Sequence, residues 1–227
     1  MSSPGKFRDA QRLQLSVLAP AEKRVLLWLA ARMPRWVNSD HLTALGLLSL
    51  AGAGLAYWYS SRNILALHLV NLCLALNWFG DSLDGTLARF RNRLRPRYGF
   101  YVDHVVDTLG TLFLLGGLGA SGFMSPAVAI GLLVVYYLLS IEVYLATYVI
   151  GSFHISFWKM GPTELRLLLV IGNLYLLYRP DQTVPFLGRD FRLFDFGGVI
   201  GIIGMAGMML QSTMRHTAQL YREEKLP

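Results

Sequence analysis

Four aspartates form two closely spaced pairs, Asp81 with Asp84 and Asp103 with Asp107. On helices, separations of three and four residues place each pair on one face. Both pairs adjoin long apolar runs, where ionised carboxylates are costly unless they are paired or bind a cation. The four carboxylates therefore predict a divalent metal site, because converging negative charges need a countercharge.

Small residues continue both acidic faces. On the first helix Asn77 lies one turn before the acids, and Gly85 and Ala88 follow them; on the second, Gly99 precedes Asp103. Small side chains leave room for a bulky group beside the backbone. A short turn joins the two helices, so we expect them to be antiparallel neighbours with facing acids.

The chemistry of the donor atoms limits which metal ions could bind. Ligand sets made only of oxygen favour magnesium, manganese or calcium over zinc. Two ions that share carboxylates can clamp a pyrophosphate. Arginines suit phosphate oxygens, and the turn between the helices is rich in them: Arg89, Arg91, Arg93, Arg95 and Arg97. The alternative is a buried ion-pair network between the acids and Arg89 or its neighbours, which the number and spacing of the acids disfavour.

The composition points to a membrane protein. Of the 227 residues, 54% are hydrophobic and 15% charged, and the net charge is +7; soluble domains carry about 25% charged residues. The positive charge fits nucleic acid or an anionic lipid surface, and the hydrophobicity favours lipid. The single Cys73 excludes disulfides within the chain. The polar N-terminus lacks the apolar core of a signal peptide.

The predicted fold class is all-α, a polytopic membrane protein with six transmembrane helices after an amphipathic interfacial helix. The spans lie at 41–59, 64–80, 98–118, 127–150, 163–177 and 194–214, and the second continues as helix through Arg89. The chain thus divides into a cytoplasmic tail with the amphipathic helix (1–38), the six-span domain (39–214) and a second cytoplasmic tail (215–227).

Residues 21–36 form the predicted amphipathic helix. Its apolar residues recur at helical spacing, and Lys23, Arg24, Arg32 and Arg35 stand among them. The helix is too short and too charged to span a bilayer, so we expect it in the headgroup plane. Packing on a soluble partner is the alternative.

Positive charge predicts the orientation. Six spans put both termini on one side, and 17 of the 21 Lys and Arg residues fall there. Both termini and the aspartates are therefore expected in the cytoplasm, at the plasma or inner membrane if the source is bacterial. Glycines three or four apart in the last span permit close helix contact, either in a homodimer or within one chain; they are Gly197, Gly198, Gly201, Gly204 and Gly207.

The pattern D-x-x-D-G-x-x-A-R, a spacer, then G-x-x-x-D-x-x-x-D resembles the signature of the CDP-alcohol phosphotransferases, also called CDP-alcohol phosphatidyltransferases. Eight positions over 27 residues match: Asp81, Asp84, Gly85, Ala88, Arg89, Gly99, Asp103 and Asp107. The six spans, cytoplasmic site and preceding amphipathic helix are also family features. One departure is the spacer Phe90 to Tyr98, which has nine residues where the family usually has eight.

The resemblance implies a role for each matched residue. Two divalent ions, Mg²⁺ or Mn²⁺, would be held by Asp81, Asp84, Asp103 and Asp107. Asp107 would also be the catalytic general base that deprotonates the acceptor hydroxyl. The nucleotide would be bordered by Asp81, Asp84, Gly85, Ala88 and Arg89.

The implied function is phospholipid synthesis in the membrane. A substituted phosphate, phosphatidyl from CDP-diacylglycerol as first choice, passes to a small alcohol with release of CMP. An alternative is transfer from CDP-choline or CDP-ethanolamine to a lipid alcohol, suggested by the D-H pair at Asp103 and the G-P-T-E run that begins at Gly161. A cation-coupled transporter and a silent scaffold are the alternatives without catalysis.

Four residues are candidates for the acceptor pocket: Glu142, Lys159, Glu164 and Arg166. Glu142 either pairs with a polar residue such as Arg166 or lines the acceptor cavity. Glu164 either caps the fifth span or contacts the acceptor. His104 points about 100° from the acidic face, where it packs or binds water. The tyrosines of the fourth span are interpreted as packing.

Overall fold

A computed structural model describes residues 18–150, 161–180, 183–186 and 188–224. These residues form seven helices: α1 (Ala19–Arg32), α2 (Ser39–Ser60), α3 (Ala66–Phe90), α4 (Pro96–Ala120), α5 (Pro126–Ile150), α6 (Pro162–Tyr178) and α7 (Leu193–Glu223). Between α6 and α7, β1 (Thr183–Phe186) pairs antiparallel with β2 (Arg189–Arg192). The all-α prediction is confirmed, and the hairpin adds a feature that the sequence did not suggest.

Helices α2 to α6 begin and end within two residues of the predicted helical segments, whereas α7 continues to Glu223 through most of the predicted tail. Among the described residues, α2, α5 and α7 are the helices long and apolar enough to cross a membrane. Membrane insertion is thus supported for three helices. Crossing by α3, α4 and α6 stays a prediction.

Helix α1 ends at Arg32, four residues before the predicted end. The reason is Pro34, because a residue that precedes proline disfavours helical angles, and Met33 is extended, with ψ 132°. The Arg91 guanidinium donates to the carbonyl oxygens of Met33 and Pro34, each at 2.9 Å. The end of α1 is therefore fixed to the turn between α3 and α4.

One face of α1 is buried against α3. Leu26 and Ala30 pack in one cluster with Leu83 and Leu87. The opposite face exposes Trp28, and the Arg32 guanidinium lies 4.1 Å from its ring centre. An apolar buried face beside an aromatic and basic outer face agrees with the predicted interfacial helix.

Helix α2 packs along both α3 and α4. Glycines permit the closest approaches: a Cβ at Gly117 of α4 would overlap the backbone of Gly54 in α2, and one at Gly80 of α3 would overlap the backbone of Leu42. Helices α3 and α4 are not among the closely packed pairs in the described part of the chain. The expectation of direct neighbours was therefore wrong in detail, because α2 supports both acidic helices.

The contact between α2 and α4 gives a test of the fold. We expect Gly117→Ala to destabilise the protein by about 1–3 kcal/mol or more, because the added methyl must displace backbone rather than a flexible side chain. Gly116→Ala is the matched control, since a Cβ there meets no described atom within 4 Å. Thermal unfolding of the two purified variants in detergent measures the difference. Equal melting temperatures would contradict the close approach of the helices.

Buried polar side chains connect three helices. The Tyr57 hydroxyl of α2 donates to Asn173 Oδ1 of α6 at 2.8 Å, and Asn173 Nδ2 donates to Asn71 Oδ1 of α3 at 2.8 Å. Asn173 is fully buried, so these bonds satisfy groups that would otherwise be costly to bury. They also fix α6 against the pair formed by α2 and α3.

The glycines of α7 divide into two groups. A Cβ at Gly198 or Gly201 would meet Val128 or Leu132 of α5, so these glycines serve packing within the chain. In the described residues a Cβ would meet no atom within 4 Å at Gly197, Gly204 and Gly207. The homodimer stays a prediction.

Candidate active site

The four predicted aspartates share one region of the bundle. Asp81 and Asp84 lie on α3, and Asp103 and Asp107 lie on α4. The negative charges of Asp81, Asp84 and Asp103 all act on the Asp107 carboxylate, and those of Asp81 and Asp103 act on Asp84. The two acidic faces therefore lie within electrostatic reach of each other, although their helices do not pack closely.

Asp81 and Asp84 each contact a polar side chain on another helix. Asp81 Oδ2 lies 2.5 Å from a terminal nitrogen of Arg166 in α6. Asp84 Oδ2 accepts a hydrogen bond of 2.6 Å from the Thr43 hydroxyl of α2. Both carboxylates are only partly exposed. Helix α6 thus contributes the acceptor-pocket candidate Arg166 to this region, and α2 contributes Thr43, which the sequence analysis did not single out.

Asp84 lies one turn beyond the predicted end of the second span. Burial, more than the neighbouring Asp103 and Asp81, raises the pKa of its carboxyl to about 7. The Thr43 hydrogen bond acts in the opposite direction, since it stabilises the ionised form. Both the burial and the like charges would be offset by a bound cation, which favours the carboxylate.

The donor set fits magnesium or manganese, since every predicted ligand atom is a carboxylate oxygen. Within the described ranges, however, no three His, Cys, Asp or Glu residues lie close enough to hold a metal ion. The ligand set predicted from the sequence would need a cation, and a shift of these side chains, to assemble.

Arg166 occupies the position that a countercharge would take. Its Nε donates to Asn77 Oδ1 at 2.8 Å while one terminal nitrogen binds Asp81. The other terminal nitrogen is buried and has no hydrogen-bond partner among the described residues. A buried guanidinium nitrogen without a partner is well suited to an anionic oxygen of a substrate.

Glu142 pairs with polar residues, as one of its two predicted alternatives has it, but the partners lie on α7 and Arg166 is not among them. Its carboxylate accepts hydrogen bonds from the Ser212 hydroxyl at 2.9 Å and from His216 Nδ1 at 2.7 Å, both on α7. A buried carboxylate selects the nearest donors, and these two lie one turn apart on the helix that packs against α5. Glu142 therefore joins α5 to α7.

Glu164 and Lys159 are the two remaining candidates for the acceptor pocket. Glu164 accepts the Gly161 N–H at 2.9 Å and the Leu18 N–H at 3.3 Å, which makes it a cap of α6. Whether it also contacts an acceptor stays a prediction. Lys159 lies outside the described residues.

Two tyrosines of α5 face the acids, a feature that the sequence analysis missed. Tyr136 and Tyr144 are each electrostatically coupled to Asp107. The Ser140 hydroxyl donates to the Tyr136 carbonyl oxygen at 2.8 Å, one turn earlier on α5. The sequence feature that could have indicated this face is the four-residue spacing of Tyr136, Ser140 and Tyr144. It places three hydroxyl groups on one side of an apolar helix.

His104 packs rather than joining the acidic face. Its ring lies edge-on to Tyr144, with centroids 4.6 Å apart, and its centroid is 4.1 Å from that of Phe100. Its Nδ1 also contacts the Phe100 carbonyl oxygen, at 2.5 Å. The histidine thereby links the start of α4 to the tyrosine face of α5.

A surface pocket of about 350 Å³ opens beside the signature residue Ala88. It is lined by the start of α2 and by the turn after α3, including Ser39, Arg91, Arg93 and Arg95. Ala88 follows Asp84 on one face of α3, so the pocket continues the acidic face toward the helix end. Arginines beside a helix N-terminus form an environment that suits a phosphate-bearing group.

Comparison with known proteins now decides the family. Residues 36–210 match the profile of the CDP-alcohol phosphatidyltransferases, and this segment contains all eight signature positions. The chain belongs to this family. Membership confirms the resemblance inferred from the motif and places the chain among transferases of phospholipid synthesis. The transporter and scaffold alternatives lose their support.

A curated relative is similar along most of the chain. Cholinephosphotransferase 1 of Bos taurus is 28% identical over 205 residues, which cover 82% of this chain and 48% of the relative. The chain thus spans about half the length of the curated relative it matches. The likeness bears on the choice of substrate, which is taken up below.

Proposed function

We propose that this CDP-alcohol phosphatidyltransferase family member transfers a substituted phosphate from a CDP-linked donor to an alcohol, with release of CMP. The observation that carries the proposal is the ion pair between Asp81 and the Arg166 guanidinium, beside the signature acids on α3 and α4. A pyrophosphate needs positive charge around it, and divalent ions on carboxylates with a nearby arginine supply that charge.

The nucleotide end of the donor is assigned to the pocket beside Ala88. Ala88 lines this pocket, and Gly85 and Arg89 lie on the adjoining stretch of α3. A Cβ at Gly85 would meet only the Arg89 guanidinium, at 3.7 Å or more, within the described structure. This arginine can therefore fold over the glycine toward a bound phosphate.

Asp81, Asp84, Asp103 and Asp107 would hold two ions, Mg²⁺ or Mn²⁺. When bound, the ions neutralise the pyrophosphate and the charge that develops on departing CMP. Arg166 contacts only Oδ2 of Asp81, so Oδ1 of the same carboxylate would serve the cation while the guanidinium stays beside it.

Asp107 is proposed as the general base. It accepts the proton of the acceptor hydroxyl, the alcohol oxygen then forms a bond to phosphorus, and the bond from phosphorus to the CMP oxygen breaks. Tyr136 and Tyr144 lie on the helix facing Asp107. In this proposal their hydroxyls would orient the acceptor alcohol.

Membrane placement follows from charge and exposure. We assign α2 to α7 as six spans, with the site and both termini cytoplasmic and α1 at the interface. Three apolar helices, the Lys and Arg distribution and the exposed Trp28 beside Arg32 support this arrangement. Lipid tails of a substrate would then enter between helices from the cytoplasmic leaflet.

Two donors fit this reaction. CDP-diacylglycerol with a small polar alcohol remains the first choice, because the Arg166 nitrogen that has no partner among the described residues suits a phosphate-bearing acceptor. CDP-choline or CDP-ethanolamine with a lipid alcohol is the second, because the relative is named a cholinephosphotransferase. With CDP-diacylglycerol the donor carries the lipid, whereas with CDP-choline or CDP-ethanolamine the acceptor carries it.

The donor can be settled with purified protein. We expect CMP release and a new phospholipid, detected by mass spectrometry, when one of the labelled donors is offered with Mg²⁺ and a pool of alcohols. Chelation of divalent ions should stop the release. Diacylglycerol consumed with CDP-choline would select the second candidate. Absence of CMP release with every donor would contradict the proposed reaction.

A further inference from the structure

Three hydrogen bonds converge on one oxygen of Glu22, near the start of α1. Glu22 Oε1 accepts from Trp78 Nε1 at 2.8 Å, from the Ser82 hydroxyl at 3.0 Å and from the Thr163 hydroxyl at 2.9 Å. Trp78 and Ser82 belong to α3, and Thr163 belongs to the first turn of α6. One carboxylate of the interfacial helix thus bridges two helices of the bundle.

The contacts of Glu22 lie directly beside those of Arg166. Arg166 binds Asn77 and Asp81, and each is the residue immediately before a Glu22 partner on α3. On α6, Thr163 and Arg166 are three residues apart and share a face. The α3–α6 seam therefore has two adjacent layers, one made by Glu22 and one by Arg166.

We propose that Glu22 is a positioning residue for Arg166. By joining α3 to the first turn of α6, it fixes the position of α6 along α3. The Arg166 guanidinium is thereby kept opposite Asp81. A carboxylate that accepts three neutral donors makes charge-assisted bonds, which are stronger than neutral ones. Helix α1 itself is held by its apolar face on α3, which leaves the Glu22 carboxylate to act on α6.

Hydrogen exchange tests the positioning directly. In Glu22→Ala we expect the amides of the first two turns of α6 to exchange about tenfold faster, because three bonds to this seam are lost. Glu22→Gln keeps an acceptor oxygen and should give an intermediate rate. Glu223→Gln on exposed α7 is the matched control. Unchanged exchange in α6, or faster exchange spread over α2 to α5, would overturn the proposal.

Kinetics provide the second arm, and this arm rests on the proposed function. If Glu22 acts through Arg166, Glu22→Ala should lower kcat/KM, and the double variant with Arg166→Gln should be no slower than Arg166→Gln alone. Additive losses would mean that Glu22 acts elsewhere. Because hydrogen exchange needs no substrate, a failure of the proposed reaction leaves the test of positioning intact.

Discussion

Replacing Asp107 by Asn should lower the rate of CMP release by about 10³-fold or more. Asparagine has the same shape but cannot accept the hydroxyl proton, and general-base catalysis contributes roughly 10²–10⁴-fold. It also removes one negative charge from the proposed ion site. Asp107 is coupled to three other carboxylates, so its neutralisation relieves repulsion and should not unfold the protein. The measurement is CMP release at saturating substrate with the melting temperature recorded in parallel.

Two comparisons make this result specific. Asp190→Asn, on the exposed hairpin, removes an acid remote from α3 and α4 and should leave the rate unchanged. A titration with Mg²⁺ separates the two roles of Asp107, since excess cation restores a weakened ion site but cannot restore a missing base. A folded Asp107→Asn protein with wild-type turnover would refute the assignment of the base.

The local parts of this fold could be predicted from the sequence. Apolar runs and proline placed the helices α2 to α6, because each span depends on its own composition. The acidic faces were also predictable, since spacings of three and four residues fix which side chains share a face. The motif then identified the family, and its eight positions fall within one matched segment.

Contacts between distant helices could not be predicted in this way. Arg166 is 85 residues from Asp81, and Glu142 is 74 residues from His216. Each acid had several possible donors at a similar depth, and the helix arrangement decided among them. The packing of α2 against α4 depends on Gly54 meeting Gly117, and that against α3 on Gly80 meeting Leu42. The residue spacing within one helix does not indicate which residue of another helix it contacts.

The structure also changes the view of the acids as a ready-made metal site. The sequence predicted four converging ligands, whereas Asp81 and Asp84 are bound to Arg166 and Thr43. Paired acids are less costly to bury than bare ones. Arg166 and Thr43 thus stabilise these two carboxylates where they lie.

The second large effect is expected at Arg166. Arg166→Gln should raise the KM for the phosphate-bearing substrate by about 10–100-fold, because a charge-assisted hydrogen bond contributes roughly 1.5–3 kcal/mol. The basis is the buried terminal nitrogen that has no partner in the described part of the chain. Arg166→Lys keeps the charge but loses the planar guanidinium, so its KM should lie between that of the wild type and that of Arg166→Gln. Steady-state CMP release over a range of donor and acceptor concentrations measures these values.

Arg179→Gln is the matched control, since this arginine is exposed at the opposite end of α6 and should leave KM unchanged. The dependence on Mg²⁺ then distinguishes two roles. If Arg166 binds substrate phosphate, its loss raises KM at every Mg²⁺ concentration. If it serves only as the countercharge of Asp81, Arg166→Gln should bind Mg²⁺ more tightly and keep its KM. The latter outcome would remove the phosphate contact and, with it, the preference for a phosphate-bearing acceptor.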